Sequence, residues 1–271
     1  MQIESSILPM SSTTIKEIII ILITAWVAAG VVNYLADVLP VKRKLATPKC
    51  SRCDHAFNIT YYILWPSKCP SCGKKVEIRH WVVRISLMLL GMFAWLYGSG
   101  IELAFIPALL VIIYFLLVAV IDIEHRLIIH PVSIFGAVLG FVIGFSLHGI
   151  NVTLLGGIAG FICMLMLYLF GRIFMGWLAR LRHRSSGEDA LGFGDVILGG
   201  VLGLFLGFPG IFISIVLAIL SAGVVSLIYI LVTLLKREYH ANLTIPYGPF
   251  LVLGAFVMLF LRNYLQIALN W

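Results

Sequence analysis

Apolar runs long enough to cross a bilayer follow one another along most of this chain, and that pattern constrains the fold more than any motif. They lie near 16–38, 81–98, 103–122, 131–148, 152–179, 194–208, 210–235 and 247–268. Composition agrees with a membrane protein. The 271 residues are 61% hydrophobic and 11% charged, with a mean hydropathy of +1.07. A soluble domain is about 45–50% apolar and about 25% charged, and disordered chains are poor in apolar residues. The chain is therefore expected to be an all-α polytopic membrane protein of about eight transmembrane helices. The sixth run is short and carries Gly199, Gly200, Gly203 and Gly207, as a tilted or closely packed helix would.

Basic residues set the expected orientation, because Lys and Arg in short loops favour the cytoplasm. Segment 39–80 holds nine of the nineteen. Arg180, Arg182 and Arg184 follow the fifth run, Lys236 and Arg237 the seventh, and Arg126 the third. The alternate loops around 99–102, 149–151 and 209 hold no Lys or Arg. Eight spans then place both termini outside and the basic segments in the cytoplasm. The first run lacks a basic leader and precedes a basic cluster, the pattern of an uncleaved anchor rather than a signal peptide. The net charge of +7 follows from this asymmetry and suits anionic headgroups. A nucleic-acid partner is not expected, for no basic surface with interleaved aromatics is evident.

Four of the five cysteines form two CxxC pairs, Cys50/Cys53 and Cys69/Cys72. Two such knuckles present four thiolates to one tetrahedral zinc ion, and the neighbouring Lys and Arg favour thiolates. A redox dithiol needs only one pair. Four thiolates leave no place for a catalytic water, so the zinc is expected to be structural, folding a loop domain over 39–80. Cys163, alone in the fifth run, reads as a packing residue.

Ionisable residues at a membrane are costly and mark functional sites. Asp37, Arg84, Asp122, Glu124, Arg172 and Asp195 are the candidates. Asp122 closes the third run and Asp195 opens the sixth, in Gly192-Phe193-Gly194-Asp195. The third run is directed inward and the sixth outward, so both acids fall at the cytoplasmic boundary. Two carboxylates sharing a proton in a partly apolar site have the chemistry of an aspartyl protease. Gly192 and Gly194 lack Cβ and would let a substrate approach Asp195. Glu124 lies about 200° around the helix from Asp122, at about 100° per residue, and faces elsewhere. His125 and Arg126 read as interfacial residues.

Taken in order, these residues resemble the bacterial type IV prepilin peptidases, membrane aspartyl proteases of the GxGD class. The resemblance runs through Asn33 and Leu39-Pro40, the paired cysteines, Asp122-x-Glu124-His125-Arg126-Leu127-Ile128, Gly192-Phe193-Gly194-Asp195-Val196 and Pro246-Tyr247-Gly248-Pro249-Phe250. It implies that Asp122 and Asp195 are catalytic and that prepilins and pseudopilins are the substrates. Cleavage would follow a Gly between a basic cytoplasmic leader and an apolar helix. Pro246, Gly248 and Pro249 would break the last helix and expose backbone to the substrate.

The resemblance also implies an inner-membrane location and, in many members, S-adenosylmethionine-dependent methylation of the new amino terminus. The stretch after the second CxxC departs from the usual pattern, with Arg84 where a carboxylate is common. Phe57-Asn58-Ile59-Thr60, Ile129-His130 and Ile197 depart as well.

The expected division is an anchor helix over 1–38, the zinc loop over 39–80 and a seven-helix peptidase over 81–271. Two other readings compete with it. An ion- or proton-coupled transporter would place its acids near mid-bilayer. A non-catalytic scaffold of a pilus or secretion assembly would not need the aspartates.

Overall fold

The computed structural model describes residues 12–50, 52–65, 68–75, 77–96, 103–182, 191–236 and 246–262. Nine helices account for most of these: α1 (Ser12–Lys42), α2 (Ile59–Leu64), α3 (Ile78–Leu96), α4 (Phe105–His125), α5 (His130–His148), α6 (Ile150–Arg182), α7 (Phe193–Leu206), α8 (Gly210–Leu235) and α9 (Gly248–Phe260). Apart from α2, each coincides with one of the apolar runs. Six of them, α1, α3, α4, α5, α6 and α8, are long and apolar enough to cross a membrane.

The expectation of about eight spans needs refinement at α7 and α9, which are apolar but shorter. At about 1.5 Å per residue the 14 residues of α7 reach about 21 Å, short of a hydrocarbon layer of about 30 Å. Two helix ends also move. α1 continues through Pro40 to Lys42, and α6 continues to Arg182, so Arg180 and Arg182 extend a helix rather than occupy a loop. Arg184, Arg237, the loop 99–102 and the predicted ends at 97–98 and 263–268 lie outside the described residues.

Lipid tails offer no hydrophobic drive for helices to associate, so close packing must hold the bundle together. Glycine supplies it between α6 and α7. A Cβ on Gly203 would collide with the Gly156 carbonyl, one on Gly160 with the Gly199 carbonyl, and one on Gly199 with the Met164 side chain. The two backbones therefore touch along three turns. At the lower end of this seam the Phe208 N–H donates to the Val152 carbonyl at 3.1 Å, and Gly207 sits against Val152 and His148. At the upper end Phe193 meets Tyr168 edge to face, 6.0 Å between centroids. α6 runs on past that contact for fourteen more residues to Arg182, so the start of α7 is recessed along α6.

α7 also packs against α5 and α9, and α4 against α1, α3 and α9. Tyr114 of α4 stacks on Phe205 of α7 with centroids 5.8 Å apart, and Gly136 of α5 leaves room for its ring. The outer faces, such as Val216, Leu220, Leu227 and Leu231 on α8, are exposed and apolar, as a lipid-facing surface must be.

Candidate active site

The last turn of α4 carries Asp122. The helix closes there because Arg126 adopts the left-handed conformation (φ 52°) and returns its N–H to the Asp122 carbonyl at 2.9 Å. The chain then turns into α5, which has a proline in its first turn. Ile128 of this connection lies under Gly194, where a Cβ would stand 2.8 Å from the Ile128 Cβ. That contact fixes the first turn of α7 against the end of α4.

Asp195 is the third residue of α7, and its Oδ2 accepts the Gly192 N–H at 3.2 Å. The Gly192 carbonyl in turn accepts the Asp195 N–H at 3.1 Å. A carboxylate in the first turn of a helix also gains from the macrodipole.

Asp122 is held at the start of α9. Gly248 opens that helix, and its backbone N–H donates to Asp122 Oδ2 at 2.9 Å. Side chains of Asp122 and Asp195 are 5% and 8% exposed, and the two carboxylates lie within electrostatic reach of each other. Tyr247 stands just before α9 as the residue that leads into it.

The glycines divide by need. Gly194 and Gly248 admit no side chain, a Cβ on the latter falling 2.6 Å from Asp122 Oδ2, whereas one on Gly192 would make an ordinary 3.5 Å contact. Pro246 precedes the helix start and Pro249 falls in its first turn. The backbone amide they leave unpaired at Gly248 is taken by Asp122, which the spacing alone did not indicate.

The four cysteines converge as their spacing predicts. Cys50 and Cys72 lie 3.7 Å apart at sulfur, and Cys53 and Cys69 3.6 Å; all four sulfurs fall within 4.8 Å of one another. A tetrahedral zinc ion with Zn–S of about 2.3 Å needs sulfurs about 3.8 Å apart, so the cluster fits that metal. The two knuckles repeat one another. The Asp54 N–H donates to the Cys50 carbonyl and Gly73 N–H to that of Cys69, with Asp54 and Gly73 both left-handed. Backbone hydrogen bonds of Arg52 and then Cys53 hold the Cys50 thiol down at about 6. Cys163 is half-buried against the core, as a packing residue would be.

A third cluster was not foreseen as one. Arg79 of α3 bridges Asp37 of α1 and Glu124 of α4, and Asp37 also accepts the Tyr62 hydroxyl. Burial and then Asp37 push that hydroxyl above its ordinary range. Asp37 and Glu124 stood out in the sequence as acids near a membrane, but nothing there pairs them with a residue that belongs to the loop.

Arg84 is fully buried. It stacks on Trp26 at 4.3 Å and donates to the carbonyls of Ile63 (2.7 Å) and Trp26 (3.2 Å). The Trp26 indole donates to the Leu64 carbonyl at 2.8 Å. Together they satisfy the open C-terminal end of α2 and moor the loop to the bundle. Asn33 is buried and donates to the His80 carbonyl at 3.2 Å. Arg172 is not brought near either acid by any described contact.

Comparison with known proteins narrows the chemistry. Residues 108–227 match the type IV leader peptidase family. The chain is similar to proteins named prepilin leader peptidase/N-methyltransferase. It is 28% identical to that of Pectobacterium carotovorum subsp. carotovorum over 76% of this chain and 71% of the relative. Identity is 27% with that of Stutzerimonas stutzeri (81% and 75%) and 24% with that of Pseudomonas putida (79% and 71%). No solved structure matches. The matched stretch contains both aspartates, the turn onto Ile128 and the whole glycine seam, so the part of the chain that resembles a type IV leader peptidase is the part that holds the candidate site, and the match supports a prepilin peptidase enzyme.

Proposed function

We propose that the chain is an aspartyl endopeptidase that removes the leader from type IV prepilins and pseudopilins at the cytoplasmic face of the inner membrane. The observation that supports this reading is that Asp122 and Asp195 are both buried, at opposite ends of two helices that each pack against α9, with Asp122 bonded to the first residue of α9.

Two carboxyls so placed hold one proton between them. The ionised one takes a proton from a water as that water adds to the scissile carbonyl, and the protonated one donates to the carbonyl oxygen. Collapse of the tetrahedral intermediate breaks the C–N bond and returns a proton to the leaving amine. The Gly248 N–H holds one Asp122 oxygen in place, which leaves the other for water or substrate. Residues 39–80 serve as the zinc-bearing module, with Cys50, Cys53, Cys69 and Cys72 as ligands to a structural ion, and 81–271 hold the peptidase.

The relatives' names include N-methyltransferase, and a second step follows for this chain: methylation of the new amino terminus from S-adenosylmethionine. When bound, that cofactor supplies an electrophilic methyl group. The acceptor must be the neutral amine, its proton having passed to solvent or a carboxylate.

The test uses the full chain in liposomes with a synthetic prepilin. Asp122→Asn and Asp195→Asn each lower turnover by about 10³-fold or more, and mass spectrometry locates the cut after the leader glycine. Adding S-adenosylmethionine adds one methyl to the mature fragment. A single aspartate variant with most of its turnover intact overturns the shared-proton mechanism.

A further inference from the structure

The loop that carries the four cysteines is the most basic part of the chain, yet 55–67, between its two knuckles, contains no Asp, Glu, Lys or Arg. This uncharged stretch holds α2. Cys50 and Cys53 precede it and Cys69 and Cys72 follow it, so the sulfur cluster ties its two ends together. The result is an arm closed at its base.

The depth of the arm can be read against the helices beside it. α3 and α4 have 19 and 21 residues, each about 30 Å of helix, the thickness of the apolar layer. The ion pair of Arg79 and Glu124 sets the first turn of α3 level with the last turn of α4, and that level marks the edge of the layer. Tyr62 stands there, with its hydroxyl on Asp37. From Tyr62 the arm descends. The Ile63 carbonyl accepts from Arg84 at 2.7 Å, five residues or about 7 Å further along α3 than Arg79. The same carbonyl lies so close to Gly30 of α1 that no Cβ fits between them, and Gly30 is seven residues, about 10 Å, below Asp37. The Leu64 carbonyl accepts from the indole of Trp26, one turn deeper on α1.

At this depth the arm meets both demands of lipid. A six-residue helix leaves its last carbonyls open, which hydrocarbon does not tolerate. Arg84 and Trp26 donate to those of Ile63 and Leu64, and the Trp65 N–H returns to the Tyr61 carbonyl at 2.9 Å. A fully buried arginine is costly inside a membrane, and closing this helix end is the work that Arg84 does there. The side chains meet the second demand. α2 buries none of its residues, and Ile59, Tyr61, Leu64 and Trp65 are 39% to 66% exposed. Trp26, which holds Leu64, meets Trp81 edge to face at 6.1 Å, and Trp81, Val82 and Ile85 give α3 an exposed apolar face beside the arm.

We propose that this arm is re-entrant: Ile59, Tyr61, Leu64 and Trp65 insert among the acyl chains of the leaflet nearest the cysteine loop, while the sulfur cluster stays outside and clamps the base. The occupant of the exposed face is lipid because that face adjoins the bare apolar surface of α3 and lies below the level of the Arg79 ion pair. The lysines at the base, Lys49 and Lys74 among them, then stand at the headgroups, which suits anionic lipid. The inference rests on neither the peptidase nor the methylation reading.

The first test needs no substitution. The full chain in liposomes is irradiated with a phospholipid that carries a diazirine midway along one acyl chain, and adducts are located by mass spectrometry. Residues 59–65 should be labelled within about threefold of 82–89 on α3, since both lie inside the apolar layer, and 43–48 should be unlabelled. Labelling of 82–89 without 59–65 overturns the proposal. The second test compares the unaltered chain with Trp65→Phe, zinc stoichiometry serving as the check on folding. The emission lost in the variant belongs to Trp65. Lipids brominated on the acyl chain should quench it by about twofold or more, and aqueous iodide hardly at all, because ions are excluded from hydrocarbon. Quenching by iodide and not by brominated lipid places the arm in water and overturns insertion. Protection from both quenchers overturns it in favour of a protein partner or a second copy over the same face.

Discussion

The backbone N–H of Gly248 donates to Oδ2 of Asp122 at 2.9 Å, across 126 positions of chain. This bond makes the start of α9 part of the carboxylate site, and the tightness of the approach can be probed directly. A Cβ at Gly248 would stand 2.6 Å from the same oxygen, so Gly248→Ala must turn the carboxylate or shift the helix. A displacement of about 1 Å at a reacting group costs about 10²-fold in rate. Leader cleavage by Gly248→Ala is expected to fall by about that factor, measured as kcat, with zinc content unchanged.

Substitution at Gly192 gives the contrasting result. Its N–H still reaches Asp195, and a methyl group there meets only an ordinary contact at 3.5 Å. Gly192→Ala should keep turnover within about threefold of the unaltered enzyme, whereas Gly194→Ala, with Ile128 in the way, loses about tenfold or more. Parallel kinetics on the two variants decide the matter.

The seam between α6 and α7 predicts a stability difference between glycines. Gly203→Ala forces the Gly156 carbonyl away, an overpacking that costs about 1–3 kcal/mol. Gly223 of α8 has nothing within 4 Å of the added methyl, so Gly223→Ala gains up to about 1 kcal/mol from helix propensity. Thermal unfolding in detergent should move Tm down for the first and leave it level or higher for the second.

Zinc follows the four thiols. Cys50→Ser or Cys72→Ser should lower the metal-to-protein ratio by at least half, because a structural site needs all of its ligands. Hydrogen exchange over 48–57 and 69–74 should then rise, while that of α7 is unchanged. An unaltered ratio would show that the metal, if bound, sits elsewhere.

Much of this architecture was legible in the residue order. Period and length identified the apolar helices, and the CxxC spacing alone predicted a four-sulfur cluster, because each knuckle is a local structure that its own few residues define. The expectation that Asp122 and Asp195 lie at one membrane boundary followed from the alternating direction of the spans.

What stayed hidden depended on contacts between distant segments. Nothing local marks Gly248 as the donor to Asp122, or Arg79 as the bridge between Asp37 and Glu124. Arg84 stood out as a departure where a carboxylate is common, and it caps α2, since a helix of six residues ends too soon to satisfy its own carbonyls. Helix lengths were misjudged at α1 and α6, where basic residues continue the helix past the apolar stretch and only the backbone reveals it.

The shortness of α7 has a consequence for the barrier that the membrane provides. Its Gly207 end is level with the start of α6, where it meets Val152 and His148, so relative to α6 it falls short at the end bearing Asp195. Hydrolysis needs a reactant that lipid excludes, yet a continuous aqueous path would dissipate the ion gradients across the bilayer. A helix recessed at one end only would let water reach the carboxylates from a single face while the insulating layer beneath them stays unbroken.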